Sequence, residues 1–265
     1  MREVKYRLTD ETKTTEYGVL HRICALRDIP RWGVRKGDIG GWITNESNLS
    51  QDGYAWISEN AVVCGDALVC GDARVCGDAR VDENAKVYGD AVVCGNAQVF
   101  GNAMVSGDAV VSGNAKVSGD AWVGENVLVY GDAWVDENAK VCGNARVGGN
   151  ARVHGDAIVC GNARVSDDAV VSGNAEVCGD AMVCGNAVVL SSADYLVFKN
   201  SWSSYRWFTY TRSNKMWKVG CFYGTGEELI KKAYADSDMS GRCYEAIVRA
   251  VETIESATAE KGETK

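Results

Sequence analysis

Between Val63 and Val189 every sixth residue is valine, without an exception in 22 positions. Four residues after each of these valines stands an alanine, except at Val127, and the residue just before that place is always Asp or Asn, from Asn60 to Asn186. A strict six-residue period leaves room for one short strand and one turn per repeat, so it constrains the fold before any other feature is read. With Val63 pointing inward, strand alternation sends Val62 and Cys64 outward. Gly65-Asp66 then makes the turn and Ala67 enters the corner. The third slot of the hexad is usually Gly yet accepts Glu59, Glu83, Glu125, Glu137 and Asp167, whereas the fourth is always Asn or Asp. That contrast places the expected left-handed residue on the Asn or Asp, the non-glycine types that tolerate it best. One such strand cannot hold itself, but stacked coils bury a continuous core. Each buried valine contributes roughly 1.5–3 kcal/mol.

An aliphatic residue with a small residue four positions on resembles the signature of the hexapeptide-repeat proteins. The resemblance covers residues 57–193. It implies a left-handed parallel β-helix of triangular cross-section, with about three hexads, or 18 residues, per coil. Between seven and eight coils at about 4.8 Å each give a rod of roughly 35–40 Å. The expected fold is mainly β, in three parts: residues 1–56 as a short N-terminal β cap, 57–193 as the β-helix, and 194–265 as a small α+β module. Stacking at 18-residue spacing writes the outward residues as ladders. One face carries Val92, Cys94, Val110, Ser112, Leu128 and Tyr130, a second Leu68, Tyr88, Met104, Trp122 and Ile158, and the third Val62, Phe100, Trp134, Val170 and Leu190. The first is the most continuous apolar strip, so Val92, Val110, Leu128 and Tyr130 are the expected surface for self-association as a trimer or dimer.

Charge and cysteine usage narrow the setting. The net charge of -8 is unevenly placed, with 19 acidic against 8 basic side chains in residues 58–194. An acidic rod argues against direct binding of nucleic-acid phosphates along its length, while leaving open cation binding or mimicry of nucleic acid. Eight of the 11 cysteines fall in one slot of the hexad, which is repeat arithmetic and not a disulfide framework. So many free thiols suit a reducing compartment. No apolar run approaches the roughly 20 residues of a membrane span, and the opening Met1-Arg-Glu-Val-Lys-Tyr-Arg7 lacks the apolar core of a signal peptide. The expected location is the cytoplasm.

Both ends of a parallel β-helix expose unpaired strand edges that need covering. At the first end Val4–Leu8 and Leu20–Leu26 read as strands, and Ile39 and Ile43 fall in phase with the repeat. At the second, Tyr195–Phe198, Tyr205–Thr211 and Met216–Phe222 read as three strands. Thr225-Gly-Glu-Glu228 is a capping box opening a helix through about Ala235. Ser240 is the candidate cap of a last helix, whose stripe Tyr244, Ile247, Val251 and Ile254 packs on the sheet or pairs with a partner helix. The tail after Ser256 reads as polar and frayed. The segments Tyr6-Arg-Leu-Thr-Asp-Glu-Thr12, Leu20-His-Arg-Ile23, Ala25-Leu-Arg-Asp28 and Gly37-Asp-Ile-Gly-Gly-Trp42 resemble the amino-terminal segment of YdcK-like bacterial and prophage hexapeptide-repeat proteins, a group commonly classed with transferases. Thr209-Tyr-Thr-Arg-Ser-Asn214 with Met216-Trp-Lys-Val-Gly-Cys-Phe222 resembles a carboxy-terminal module of phage and prophage proteins of this type. The resemblance implies a bacterial or phage origin, without a demonstrated reaction.

Three kinds of chemistry are legible. Acyltransferases of this fold, the resemblance implies, use a histidine as general base on an amine or hydroxyl, with a coenzyme A thioester as donor. Only His21 and His154 exist here. His154 stands in an outward slot with Arg152 beside it and Asp136 one coil away, or simply fills a variable surface slot. Such enzymes usually break their coils with an inserted loop, and no hexad from 57 to 193 is interrupted. Metal chemistry is weaker still. Cys142, Cys160 and Cys178 form a thiol ladder, and Asp72, Asp90 and Asp108 a carboxylate ladder, each better explained as ordinary surface residues, so no metal or cofactor is expected. The richest surface is the carboxy-terminal module. Arg206, Trp207, Tyr210, Arg212, Asn214 and Trp217 crowd a short stretch that suits a nucleotide base or a protein hot spot, or else forms an aromatic core with a basic rim. The leading expectation is a non-catalytic binding or assembly protein of phage or prophage type. Its rod is a self-associating scaffold, and its carboxy-terminal module recognises a host protein or a small nucleotide-type signal, as an anti-defence sponge would. An acyltransferase using His154 is the second reading, and an acidic nucleic-acid mimic the third.

Overall fold

The computed structural model describes residues 4–16, 18–202 and 205–262. The chain divides into two compact units, Met1–Ser192 and Ala193–Lys265. In the first, each hexad gives a two-residue strand such as Val62–Val63, Leu68–Val69 or Arg74–Val75. Every strand pairs in parallel with the one 18 residues on, so Val63 meets Val81 and Val81 meets Val99. Three sheets of 11, 8 and 7 strands result, making a parallel β-solenoid of about 8 turns. The repeated valines and the corner alanines through Ala187 are buried, and Val127 fills its corner as fully as an alanine. Main-chain bonds link successive coils three times per hexad, as in Asp72 N–H to Gly89 O (2.8 Å), Arg74 N–H to Ala91 O (2.9 Å) and Cys76 N–H to Val93 O (2.9 Å). The β-helix is thus closed by its own backbone between every pair of coils.

The turn corrects one expectation. The left-handed residue is the third slot, not the Asn or Asp of the fourth. Its glycines lie at positive φ, for example Gly161 at 67° and Gly179 at 69°, and so do Glu59, Glu83, Glu125, Glu137 and Asp167 at 55–61°. The fourth slot is spent otherwise, on ladders along the corners. Asn84 Nδ2 donates to Asn102 Oδ1 (3.0 Å), and Asn102 Nδ2 to Asp120 Oδ1 (2.8 Å). Asn126, Asn144, Asn162 and Asp180 repeat the pattern over four coils. An amide can donate and accept and so continues a ladder, whereas a carboxylate only accepts and ends it. The acidic exceptions in the third slot have their own compensation. Glu83, Glu125 and Glu137 each accept the N–H of the glycine one coil on, Gly101, Gly143 and Gly155, at 2.6–2.7 Å. Asp167 does the same for Gly185 at 2.9 Å.

The amino-terminal residues are continuous with this solenoid. Antiparallel strands Tyr6–Thr15 and Gly18–Ala25 precede Ile39–Ile43, which pairs in parallel with the rod through Ile43 and Val63. Ile43 is buried but Ile39, although in phase, is half exposed. Ile43 and Leu49 meet residues 20 further on, Val63 and Val69, whereas Ile57 meets Val75 at the regular 18. The two extra residues fall between Leu49 and Ile57, where Gly53 turns at positive φ. Buried Lys5 closes the gap by donating Nζ to Ala55 O (2.8 Å) and Asp52 O (3.3 Å). The Asp72–Asp90 pair on the corner is answered by Arg31, at 3.5 and 3.0 Å, so it is a neutralised surface and not an open cation cage.

The second unit holds four antiparallel strands, Tyr195–Lys199, Trp207–Thr211, Met216–Val219 and Phe222–Gly224. The stretch expected as a third strand splits into two, because Gly220 at φ 57° allows a tight hairpin that pairs Val219 with Phe222. Helix α1, Gly226–Asp236, opens on the expected box: Thr225 Oγ1 accepts from Glu228 N, and Glu228 Oε2 accepts from Thr225 N. Helix α2 spans Asp238–Gly262. Its cap is Ser237, whose Oγ accepts from Ser240 N at 3.1 Å, so Ser240 sits one turn inside. The helix continues past Ser256, which donates its Oγ–H to Glu252 O, where a frayed tail was expected. No helix among the described residues is long and apolar enough to cross a membrane.

Candidate functional site

The repeat spends its inward slots on packing, so distinctive chemistry must lie in the outward ones. In the largest sheet, register aligns Gln98, Lys116, Trp134, Arg152 and Val170 on successive coils. An indole therefore stands between two cations at the strand spacing. Trp134 is 36% exposed, and Lys116 Nζ lies 6.0 Å from its ring centroid. Its other edge is tethered. Nε1 donates to Ser118 Oγ (2.9 Å), and Ser118 Oγ donates to Asp136 Oδ1 (2.8 Å), which also accepts from Glu137 N (2.7 Å). The neighbouring sheet repeats the device, with Trp122 Nε1 donating to Ser106 Oγ at 3.1 Å. In both cases the serine lies on the preceding coil, 16 residues back, and fixes the ring against the sheet.

Two cavities open beside Trp134. One, of about 140 Å³, is lined by Trp134, Asp136, Glu137, Arg152 and His154. The other, of about 590 Å³, extends past Lys116 along the corner ladder that carries Asp132 and Asp168 and shares Trp134 and Arg152 with the first. His154 Nδ1 lies 3.8 Å from Glu137 Oε2, the same oxygen that accepts Gly155 N–H at 2.7 Å. The acids of these cavities are occupied by the solenoid itself. Asp132 and Asp168 each accept from an Asn one coil back at 2.8 Å, and Asp136 and Glu137 are held as described. Among the described residues no ion pair is formed by Lys116 or Arg152. The cavities thus present two cations and an aromatic face, with carboxylates already bonded.

Of the residues expected around His154, Arg152 and Asp136 do converge on it, and Glu137 is its nearest charged partner. Lys116 and Trp134 were missed as site residues, although 18-residue spacing alone lines them up with Arg152. The four residues of the apolar strip, Val92, Val110, Leu128 and Tyr130, do share one face. The first three are half-buried and Tyr130 is 43% exposed, its ring lying over Gly148, where a Cβ would come within 2.3 Å of it.

The carboxy-terminal six do not form one surface, and this corrects the expectation of a single aromatic and basic patch. Tyr210 and Trp217 are buried in the module's core with Phe208, Leu229, Val248 and Val251, their rings 5.1 Å apart. The face that met the helices was the one carrying Phe208 and Tyr210, so their aromatic area went into folding. Arg212 Nε is 2.9 Å from Glu255 Oε1. Asn214 organises a turn, its Oδ1 accepting from Thr211 Oγ1 and Met216 N and its Nδ2 donating to Tyr223 Oη. Trp207 is half-buried beneath Lys199 Nζ at 5.2 Å, and Arg206 is exposed. The cysteine reading is corrected too, since Cys160 and Cys178 are joined in a disulfide, Cα atoms 4.7 Å apart. Cysteines in one slot of adjacent coils come into bonding range as a consequence of the repeat.

These features define a hexapeptide-repeat parallel β-solenoid with a polar, aromatic site on one sheet. The repeat matches the family model described as YdcK Beta solenoid repeat at residues 97–113, 139–155, 145–161 and 157–173. Among solved structures, LpxA from Acinetobacter baumannii is similar at 14% sequence identity, over 65% of this chain and 71% of that one, with a TM-score of 0.39. No curated protein matches the chain.

Proposed function

We propose that this chain is a β-solenoid binding and assembly protein whose ligand site is the Trp134 face of the rod. The observation that supports this most is the Lys116–Trp134–Arg152 line over cavities whose carboxylates are already bonded. An exposed indole offers a stacking surface for a planar ring, and two cations unpaired with acids attract an anion. A small anionic molecule with an aromatic ring, such as a nucleotide, satisfies both. The uninterrupted core supplies a rigid platform, and the Val92–Val110–Leu128 strip is the surface on which copies would associate. Titration with a panel of nucleoside monophosphates and cyclic dinucleotides, followed by calorimetry, tests the site. Binding that falls about tenfold or more in Arg152→Ala and in Trp134→Ala supports it. Binding unchanged in both variants, or none by any nucleotide, removes it.

A second reading rests on a separate observation, the His154 imidazole beside Glu137 in a cavity shared with Arg152. A carboxylate at that position can orient an imidazole, as general-base catalysis of acyl transfer requires. That reading needs turnover of a coenzyme A thioester that is lost in His154→Ala. Binding without turnover leaves the first reading standing alone.

A further inference from the structure

Away from the Trp134 face, one cluster among the described residues gathers atoms that bind metals. Cys142, Cys160 and Cys178 occupy the same outward slot on three successive coils, linked by Cys142 N–H to Val159 O and Cys160 N–H to Val177 O, both 2.9 Å. Glu176 lies two residues before Cys178, so strand alternation turns it to the same side. Its Oε1 is 3.4 Å from Cys178 Sγ. The two sulfurs of Cys160 and Cys178 and a carboxylate oxygen of Glu176 all lie within 4.8 Å of one another.

We propose that Cys160, Cys178 and Glu176 form a site for a thiophilic divalent cation, available when the disulfide is reduced and closed when it forms. Zinc bonds sulfur at about 2.3 Å and carboxylate oxygen at about 2.0–2.2 Å. Two sulfurs on one tetrahedral ion therefore stand about 3.8 Å apart. Side chains that reach covalent contact across adjacent coils reach that separation by a small change of χ1. Two thiolates select zinc or cadmium over calcium or magnesium. Three protein donors leave one position for water. Reduction is a thiol–disulfide exchange with a small dithiol. The dithiol's two sulfurs form a new disulfide, and two electrons and two protons pass to the sulfurs of Cys160 and Cys178. Binding of the cation then releases those two protons. The other stacked pair, Cys76 and Cys94, provides an internal control, because Val92 stands where the first pair has its glutamate, and Arg74 pairs with it on the coil below, so that pair lacks the carboxylate and has a cation that repels a metal.

The full chain is reduced with a dithiol, freed of it without air, and titrated with Cd²⁺ while thiolate-to-cadmium absorption is followed. The expected result is one tightly held Cd²⁺ per chain in the reduced protein and in Cys94→Ser. It is lost in Cys160→Ser, in Cys178→Ser and in the oxidised protein, and weakened in Glu176→Gln. Circular dichroism confirms that the solenoid is retained in each variant. Equal binding by Cys160→Ser and the unaltered chain, loss in Cys94→Ser instead, or no tight ion in the reduced protein overturns the proposal.

Discussion

Glu125 tests how the turn of the hexad is stabilised. Its backbone sits at φ 61° in a slot otherwise given mostly to glycine. A residue with a Cβ loses roughly 1–2 kcal/mol in that left-handed conformation. Against this, Oε2 accepts Gly143 N–H at 2.6 Å. A hydrogen bond to a charged group is worth about 1.5–3 kcal/mol when shielded, and exposure at the rim brings it to about 1 kcal/mol. The two effects nearly cancel, which explains why the slot accepts an acid at all. Glu125→Ala keeps the Cβ and loses the acceptor, so it should be less stable than the unaltered chain by about 1 kcal/mol. Glu125→Gly loses both and should stay within about 1 kcal/mol of it. The glycine variant should therefore exceed the alanine variant by about 1–2 kcal/mol. Urea unfolding followed by far-UV circular dichroism gives the global difference. Hydrogen exchange at Asn126, whose N–H bonds Gly143 O, reads the same turn locally. An alanine variant as stable as the glycine variant would refute the reasoning, because the penalty at positive φ would then be absent.

Gly161→Ala and Gly179→Ala share φ near 68° on adjacent coils, but a Cβ at Gly161 would meet Gly179 N at 2.9 Å, while one at Gly179 meets nothing within 4 Å. Thermal or urea midpoints should place Gly161→Ala lower by about 1–3 kcal/mol, and equal midpoints would show that the coils separate freely. Ser118→Ala removes the acceptor of Trp134 Nε1 and the donor to Asp136; it should cost about 1–3 kcal/mol and shift tryptophan emission to the red, and unchanged emission would mean that Ser118 does not hold the ring. Burial, with Arg27 nearby, pulls Lys5 down to about 8, so above that pH the unfolded chain holds a proton that the folded chain has shed, and deprotonation favours the fold. Relative to Lys5→Met, stability should rise between about pH 8 and 9, by at most about 1.4 kcal/mol per pH unit. Higher pH reverses the trend, because burial pushes the Cys64 thiol up to about 11, and the folded state then keeps a proton that the unfolded state loses. A difference between the unaltered chain and Lys5→Met that stays flat or falls from 8 to 9 counts against a charged, buried Lys5.

The parts of the fold that the sequence discloses are those where one residue type has one job. Val63 through Val189 have no role but packing, so their period gives strand length, coil register and core together. The turn misleads because two adjacent slots are both turn-forming types, and statistics favour Asn for left-handed backbone. The structure assigns Asn to the corner ladders instead, where its amide both donates and accepts, as in Asn144 between Asn126 and Asn162. The amino-terminal residues show a similar limit. Ile43 continues the core only because two extra residues before Ile57 are absorbed at Gly53, an offset the period conceals. In the carboxy-terminal module, alternation separates Phe208 and Tyr210 from Trp207 and Thr209 but does not say which side meets α1 and α2. Composition near Trp217 looks like a recognition surface for the same reason that it makes a good small core: aromatic rings serve both.

The site on the rod was hidden by a different cause. Lys116, Trp134 and Arg152 are each unremarked in their own hexads, and none belongs to a motif. They become one feature only when 18-residue register is applied to a single outward slot. A solenoid with an invariant interior has only those outward slots in which to vary, so chemistry must arise as a vertical coincidence between coils. The acids at 132, 136, 137 and 168 sharpen this argument. Read along the chain they make the region look anionic, yet in the structure each carboxylate is bonded to an Asn, Ser or main-chain donor of the solenoid. What the surface then offers is set by the groups without such partners. At Trp134 those are two cations beside the exposed part of an indole, which is why an overall acidic rod can still present positive charge locally.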